Sequence, residues 1–133
     1  MKTGIVRLGF QHLAFLGPES KWAAEASECA GEQGRFWEYH DKLFTSQSGE
    51  NQGAFSKDKL KKFAADLKLD TTRFSACVDS GKYSATVEDE TAAVQSLGVT
   101  STPAFLINGQ PLVGALPFEQ FRQIIESERN KKK

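Results

Sequence analysis

Few residues in this chain are equipped for chemistry. The sequence holds two cysteines, Cys29 and Cys77, and two histidines, His12 and His40. A thiol attacks as its thiolate, and a helix N-terminus or a nearby cation is what stabilises that charge. Cys29 falls on the apolar spacing Trp22, Ala23, Ala26, Cys29 and Ala30, and Cys77 on Phe74, Cys77 and Val78. Both therefore sit on the apolar stripe of a helix interior, where burial disfavours the thiolate. They are too distant in sequence for a Cys-x-x-Cys redox pair or a zinc ribbon. Taken alone they read as two buried thiols, or as a metal or catalytic group with His40 as a third member. His40 shares the stripe of Phe36 and Leu43 and reads as a hydrogen-bonded core histidine. His12 lies in a loop and reads as a surface histidine. Asp41, Glu38 and Glu88-Asp89-Glu90 read as solvated helix faces. No segment resembles a phosphate-cradling glycine loop, a nucleophile elbow or a zincin helix, so no cofactor or metal is implied. Thr102-Pro103 stands directly before an apolar run. An X–Pro bond has lost most of its trans preference, so this is either a trans proline opening a strand or a cis peptide in a tight loop.

The elements that would position these residues follow from periodicity. Ile5-Val6-Arg7-Leu8-Gly9-Phe10 is short, apolar and partly β-branched, which predicts a buried strand. Gly17-Pro18 opens a helix from Glu19 to Glu32, since proline suits the first helical turn. Glu25, Ser27, Glu28 and Glu32 fall off its apolar stripe. Gly31 and Gly34 break the pattern. A second helix then aligns Phe36, Trp37, His40, Leu43 and Phe44, and these aromatics are expected to build much of the core. Thr45 to Gly53 is a polar surface loop. Ser56 is an N-cap for a helix carrying Leu60, Phe63, Ala64 and Leu67. Asp70 caps a short helix that Gly81 closes. A longer helix runs from Lys82 to Leu97 with Tyr83, Val87, Val94 and Leu97 inward. Ala104 to Ile107 then reads as a strand, Asn108-Gly109 as a type I′ hairpin turn, and Pro111 to Val113 as an edge strand. Pro117 starts a last helix with Phe118, Phe121, Ile124 and Ile125. Arg129 to Lys133 reads as a frayed basic tail.

Composition narrows the classes. At 133 residues the chain suits one domain, with 39% hydrophobic and 26% charged residues. Lys+Arg and Asp+Glu are 17 each, so the balance supports neither a nucleic-acid surface nor one for an anionic membrane. No apolar run is long enough to span a bilayer, and no signal peptide is visible at the start.

Three motifs, in order, resemble a known group. Val99-Thr100-Ser101-Thr102-Pro103-Ala104-Phe105-Leu106-Ile107-Asn108-Gly109 resembles the cis-proline loop and hairpin of thioredoxin-fold proteins. Trp22-Ala23-Ala24-Glu25-Ala26 through Cys29-Ala30, then Gln33-Gly34-Arg35-Phe36-Trp37-Glu38-Tyr39-His40-Asp41-Lys42-Leu43-Phe44, resembles the helical insertion of DsbA-like thiol–disulfide oxidoreductases. Phe74 to Tyr83, with Cys77, Ser80-Gly81 and Lys82, matches the same group. The resemblance runs from about Val6 to Ile125 and implies an α/β thioredoxin-like fold. It would form one domain, with residues 4–16 and 99–133 as the thioredoxin portion and 17–98 as an inserted helical bundle.

The resemblance also carries functional expectations. Family members exchange dithiols and disulfides on extracytoplasmic proteins, and a loop like Thr102-Pro103 docks an extended or unfolded protein substrate. A structural disulfide between residues such as Cys29 and Cys77 belongs to the same picture. The departure is that the family's Cys-x-x-Cys, at a helix start after a central strand, would precede residue 1. The expectation is therefore an N-terminally truncated, inactive chain. That strand would lie between Ile5–Phe10 and Ala104–Ile107, and its absence would leave apolar strand edges that invite a homo-oligomer. The alternatives are a non-catalytic peptide-binding or assembly module that keeps the docking loop and, less favoured for want of an all-helical C-terminal domain, a glutathione-type conjugating enzyme.

Overall fold

The computed structural model describes residues 2–132. The elements are α1 (Pro18–Gly31), α2 (Phe36–Thr45), α3 (Lys57–Asp66), α4 (Thr71–Ser80), α5 (Ser84–Ser96), β1 (Ala104–Ile107), β2 (Gln110–Val113) and α6 (Phe118–Lys131). They divide into two compact units. One is Gln11–Val94; the other joins the residues up to 10 with those from 95 onward.

In the helical unit, local chemistry sets the helix ends. Ser56 accepts a hydrogen bond from the Lys59 amide and Asp70 one from the Arg73 amide, each satisfying an amide that the first helical turn leaves over. Gly81 closes α4 in the left-handed region at φ 62°, where a Cβ would be strained. Between α1 and α2 the turn docks by its side chains. The Gln33 amide both accepts from the Asp70 N–H, at 2.8 Å, and donates to the Asp70 carbonyl, at 3.2 Å. Arg35 reaches the Leu67 carbonyl at 3.1 Å. Glu19, in the first turn of α1, accepts from the amides of Gly53 and Phe55 and so orders the polar loop before α3.

The core gathers Ala26, Cys29 and Ala30 of α1, Tyr39 of α2, Leu60 and Ala64 of α3, and Phe74, Cys77 and Val78 of α4. Tyr39 corrects the expected α2 stripe. Its ring is fully buried 5.3 Å from Phe74, and its hydroxyl donates to the Leu60 carbonyl at 2.8 Å, whereas Trp37 and Phe44 are exposed. Both faces of α2 are aromatic, and on the buried face the Tyr39 hydroxyl is satisfied by a backbone carbonyl. The small residues of α1 let its neighbours close around it, so Glu25 and Ser27 are buried too, contrary to their expected outward placement. Leu97, expected inward, lies one residue beyond α5 and is exposed.

In the second unit, β1 and β2 form an antiparallel pair with Ala104 opposite Val113 and Ile107 opposite Gln110. Asn108 and Gly109 both take positive φ, as a type I′ turn requires. Among the described residues the sheet has these two strands, and Ile5–Phe10 is not one of them. An apolar run is held in strand geometry by a ladder on its flank, and this sheet's ladder runs only between β1 and β2. The basic tail is also corrected: α6 continues to Lys131, which pairs with Glu128 one turn earlier. Lys133 lies outside the described residues.

At the end of α4, Glu32 receives the Lys82 ammonium and the Tyr83 hydroxyl, the latter at 2.7 Å. The Lys82 contact, then that of Tyr83, holds the Glu32 carboxyl below its ordinary value. Ionising Tyr83 would set a phenolate against that carboxylate, so its hydroxyl is pushed up to about 12, first through the hydrogen bond to Glu32. Burial raises Tyr39 as well. A spectrophotometric titration should therefore show neither tyrosine ionising near 10. In Glu32→Gln one phenol should fall back toward its ordinary value of 10.0. A wild-type titration with a phenol near that value contradicts the assignment.

Candidate functional site: a proline loop and two cysteines

The cysteines are joined. Cys29 and Cys77 form a disulfide with Cα atoms 5.9 Å apart, tying the last turn of α1 to α4 across a sequence separation of 48. Cys29 is 1% and Cys77 7% exposed, surrounded by Ala26, Ala30, Phe74 and Val78. Little of either residue is open to a thiolate in solution, and no free cysteine exists among the described residues. The reading of two buried thiols is thereby corrected, as is that of a metal or catalytic group with His40. His40 is half-buried on α2, its Nδ1 3.0 Å from Asp41 Oδ1 and its ring 4.6 Å from that of Phe44. It sits beside an exposed carboxylate rather than in the core. Among the described residues, no three His, Cys, Asp or Glu side chains are arranged to hold a metal ion.

His12 is the largest departure from expectation. It is 4% exposed. Its Nε2 lies 2.8 Å from Glu28 Oε1 of α1, and its backbone N–H donates to Glu90 Oε2 of α5 at 2.9 Å. A carboxylate only accepts, so Nε2 carries the proton in that contact. Two residues on, the Ala14 amide donates to Thr91. This loop is stitched to two helices by polar contacts between residues far apart in sequence, a pattern that local periodicity does not register. Glu90 is likewise a partner of this loop rather than part of a solvated face, and Glu88 pairs with Lys21.

The other candidate lies in the second unit. Thr102 and Pro103 are exposed, and the peptide bond between them is cis. The Pro103 carbonyl accepts from the Gly114 amide at 2.8 Å, which extends the hairpin's pairing one step beyond Ala104 and Val113. Thr102 itself makes no hydrogen bond to any described residue, so its N–H and C=O are available to a chain laid alongside. The hairpin behind it is braced by α6. Phe105 meets Phe121 edge to face at 4.9 Å, and Glu128 accepts from Gln110 at 2.8 Å and from Asn108 at 3.5 Å. The proline loop is thus carried on a supported hairpin while its own backbone stays open. The chain thus holds a buried, bridged sulfur pair and, in the hairpin unit, an exposed loop backbone at Thr102.

Comparisons bear on both. A family model described as Thioredoxin matches residues 1–127. The chain is 35% identical over 112 residues to the Na(+)/H(+) antiporter NhaA of Herminiimonas arsenicoxydans, a match covering 84% of this chain and 17% of the antiporter. It is 25% identical over 128 residues to Disulfide bond formation protein D of Bacillus subtilis (strain 168), covering 94% of this chain and 58% of that protein. A solved structure titled as a thioredoxin-like oxidoreductase from Silicibacter pomeroyi DSS-3 superposes with TM-score 0.71 at 23% identity, over 87% of this chain and 64% of that one. The fold is thioredoxin-like with inserted helices. The chain spans less than two thirds of the length of each of these proteins.

The disulfide generates a direct expectation. Closing so long a loop removes denatured-state entropy worth up to about 4 kcal/mol on the chain-entropy model. The double variant Cys29→Ala/Cys77→Ala should lose about 2–4 kcal/mol in urea unfolding. The native bridge should resist reduction by dithiothreitol until the helical unit opens. Rapid reduction under native conditions, or an unchanged unfolding midpoint in the variant, contradicts a buried structural role.

Proposed function

The chain belongs to the thioredoxin family, and from that premise we propose that it works as a docking domain for extended polypeptide, without redox turnover of its own. It stands in the lineage of thiol–disulfide oxidoreductases, as its thioredoxin-like oxidoreductase and disulfide bond formation relatives indicate. One observation carries the reading: the exposed, unpaired backbone of Thr102 immediately before Pro103 and β1. A substrate strand gains main-chain hydrogen bonds there and takes its selectivity from alternate side chains. Redox exchange needs an accessible thiolate. Both sulfurs of this sequence are spent in the buried bridge, so this chain is inactive as an oxidase or isomerase. Such a bridge forms in an oxidising compartment, which supports an extracytoplasmic site of action. No helix among the described residues is long and apolar enough to cross a membrane.

The second reading is an assembly module within a larger protein. The antiporter relatives favour it, because the matching stretch makes up a small fraction of each of them. The open hairpin edges favour it too. β1 and β2 each pair on one side only, and Leu106 and Val113 are 62% and 61% exposed. Exposed apolar edges of this kind recruit another strand, including one from a second copy.

Two measurements test these readings. In insulin-reduction and scrambled-ribonuclease assays the 133-residue chain should give rates at the blank level, and clear turnover overturns the inactive reading. In NMR titrations an unfolded substrate peptide should shift the amides of Thr102 and Ala104, and Thr102→Pro, which deletes the donor N–H, should weaken binding roughly tenfold. Shifts that avoid this loop overturn the docking role. For self-association, light scattering should show a mass that rises with concentration. A strict monomer at high concentration removes the homo-oligomer.

A further inference from the structure

A cleft of about 480 Å³ opens in the helical unit between one face of α1, the start of α3, and the turn that joins α4 to α5. At its base is Glu25, only 6% exposed. Its carboxylate accepts no hydrogen bond and forms no ion pair with any described residue. No side-chain oxygen among the described residues is both fully buried and unpartnered, so this carboxylate opens to the cleft, where a nearly enclosed negative charge favours a cation that also donates hydrogen bonds. The chain's own nearby cations are already engaged. The Lys21 ammonium is bound to Glu88 and held above its ordinary value chiefly by that contact, with the charge of Glu25 contributing least. Lys57 lies 5.7 Å over the Trp22 ring, at the mouth of the same cleft. Asp79, on the opposite wall, is taken by Lys61 at 2.8 Å.

The remaining features favour positive charge. α4 ends at the cleft, and a helix C-terminus carries partial negative charge. Trp22 offers an indole, the ring that attracts cations best, and already draws one in Lys57. A phosphate or carboxylate ligand would meet Glu25 and the α4 carbonyls while finding both lysines occupied. From this juxtaposition we propose that the cleft binds a primary ammonium or guanidinium group on a flexible chain, with Glu25 as its carboxylate partner and Trp22 as its aromatic wall. Such a group comes either from a lysine or arginine side chain of a polypeptide or from a free diamine. The site lies wholly among the helices, so it stands or falls independently of the proline loop.

The test is an NMR titration that follows the Trp22 indole N–H and the Glu25 amide. The probes are N-acetyl-lysinamide, N-acetyl-argininamide and putrescine, with N-acetyl-norleucinamide as the neutral control. The charged probes should give saturable millimolar binding and the control none. Tighter binding of the amides identifies a polypeptide side chain as the source, and tighter binding of putrescine a free amine; either supports the site. Glu25→Gln, checked by near-ultraviolet circular dichroism for an intact fold, should weaken binding roughly tenfold. Ser80→Lys leaves the buried carboxylate in place and sets a competing ammonium on an exposed residue of the rim. It should weaken binding by a similar factor and keeps the test valid should Glu25→Gln fail to fold. Absence of saturable shifts, equal response to the neutral control, or unchanged affinity in Ser80→Lys overturns the proposal.

Discussion

The covalent tie between α1 and α4 is the constraint on which the rest of this molecule turns. Apart from Phe74, the core residues of these two helices are Ala26, Cys29, Ala30, Cys77 and Val78, side chains that individually bury little area. Such a seam gains less from the hydrophobic effect than one of leucine and phenylalanine, and the bridge offsets the difference by limiting the unfolded chain. Tyr39 and Phe74 then pack close beside it and supply the large apolar volume that the seam lacks. The same bond constrains the sulfur chemistry open to these two residues. Sulfur that has been committed to holding helices together cannot also be presented as a thiolate at a helix start, so stability and redox reactivity compete for the only two cysteines in the sequence.

On the proposed reading, recognition falls to backbone. The proline loop is suited to that because its support comes from elsewhere. Phe105 and Phe121 anchor one end of the hairpin against α6, and Glu128 gathers Asn108 and Gln110 at the other. These contacts leave the Thr102 amide and carbonyl unspent. A loop that satisfied its own polar groups would be more stable and would have nothing to offer a partner strand.

Much of this was legible in the sequence, and the division follows the range of the forces involved. Helix caps at Ser56 and Asp70, the stop at Gly81 and the turn at Asn108-Gly109 are read correctly because each depends on residues within a few positions. Ile5–Phe10 misleads because strand geometry depends on a distant ladder rather than on β-branched composition. His12 and Glu25 mislead for the opposite reason: both are polar, and polarity alone predicts exposure. His12 is buried because carboxylates from two helices converge on it. Glu25 is buried because the alanines of α1 admit neighbours on all sides. On α2 both faces are aromatic, and the hydrogen bond by which Tyr39 is accommodated in the core is one that no periodicity encodes.

The two units differ in how far they can sustain themselves. The helical unit holds the fully buried side chains, from Ala26 to Val87, and the disulfide. In the hairpin unit no described residue is buried, and Leu106, Val113 and Phe118 are largely exposed. A two-stranded hairpin is marginal in water without a third strand or a packed helix, and a helix the length of α6 is marginal alone. Their mutual contact through Phe105 and Phe121 helps, yet Phe105 remains 37% exposed. The hairpin unit therefore gains most from any further apolar cover. An added strand from a substrate, from a second copy or from the remainder of a longer protein would supply both ladder bonds and burial at the same edge. Recognition and stability would be linked there: a strand that docked at this edge would also complete it, and so would stabilise the hairpin unit by mass action.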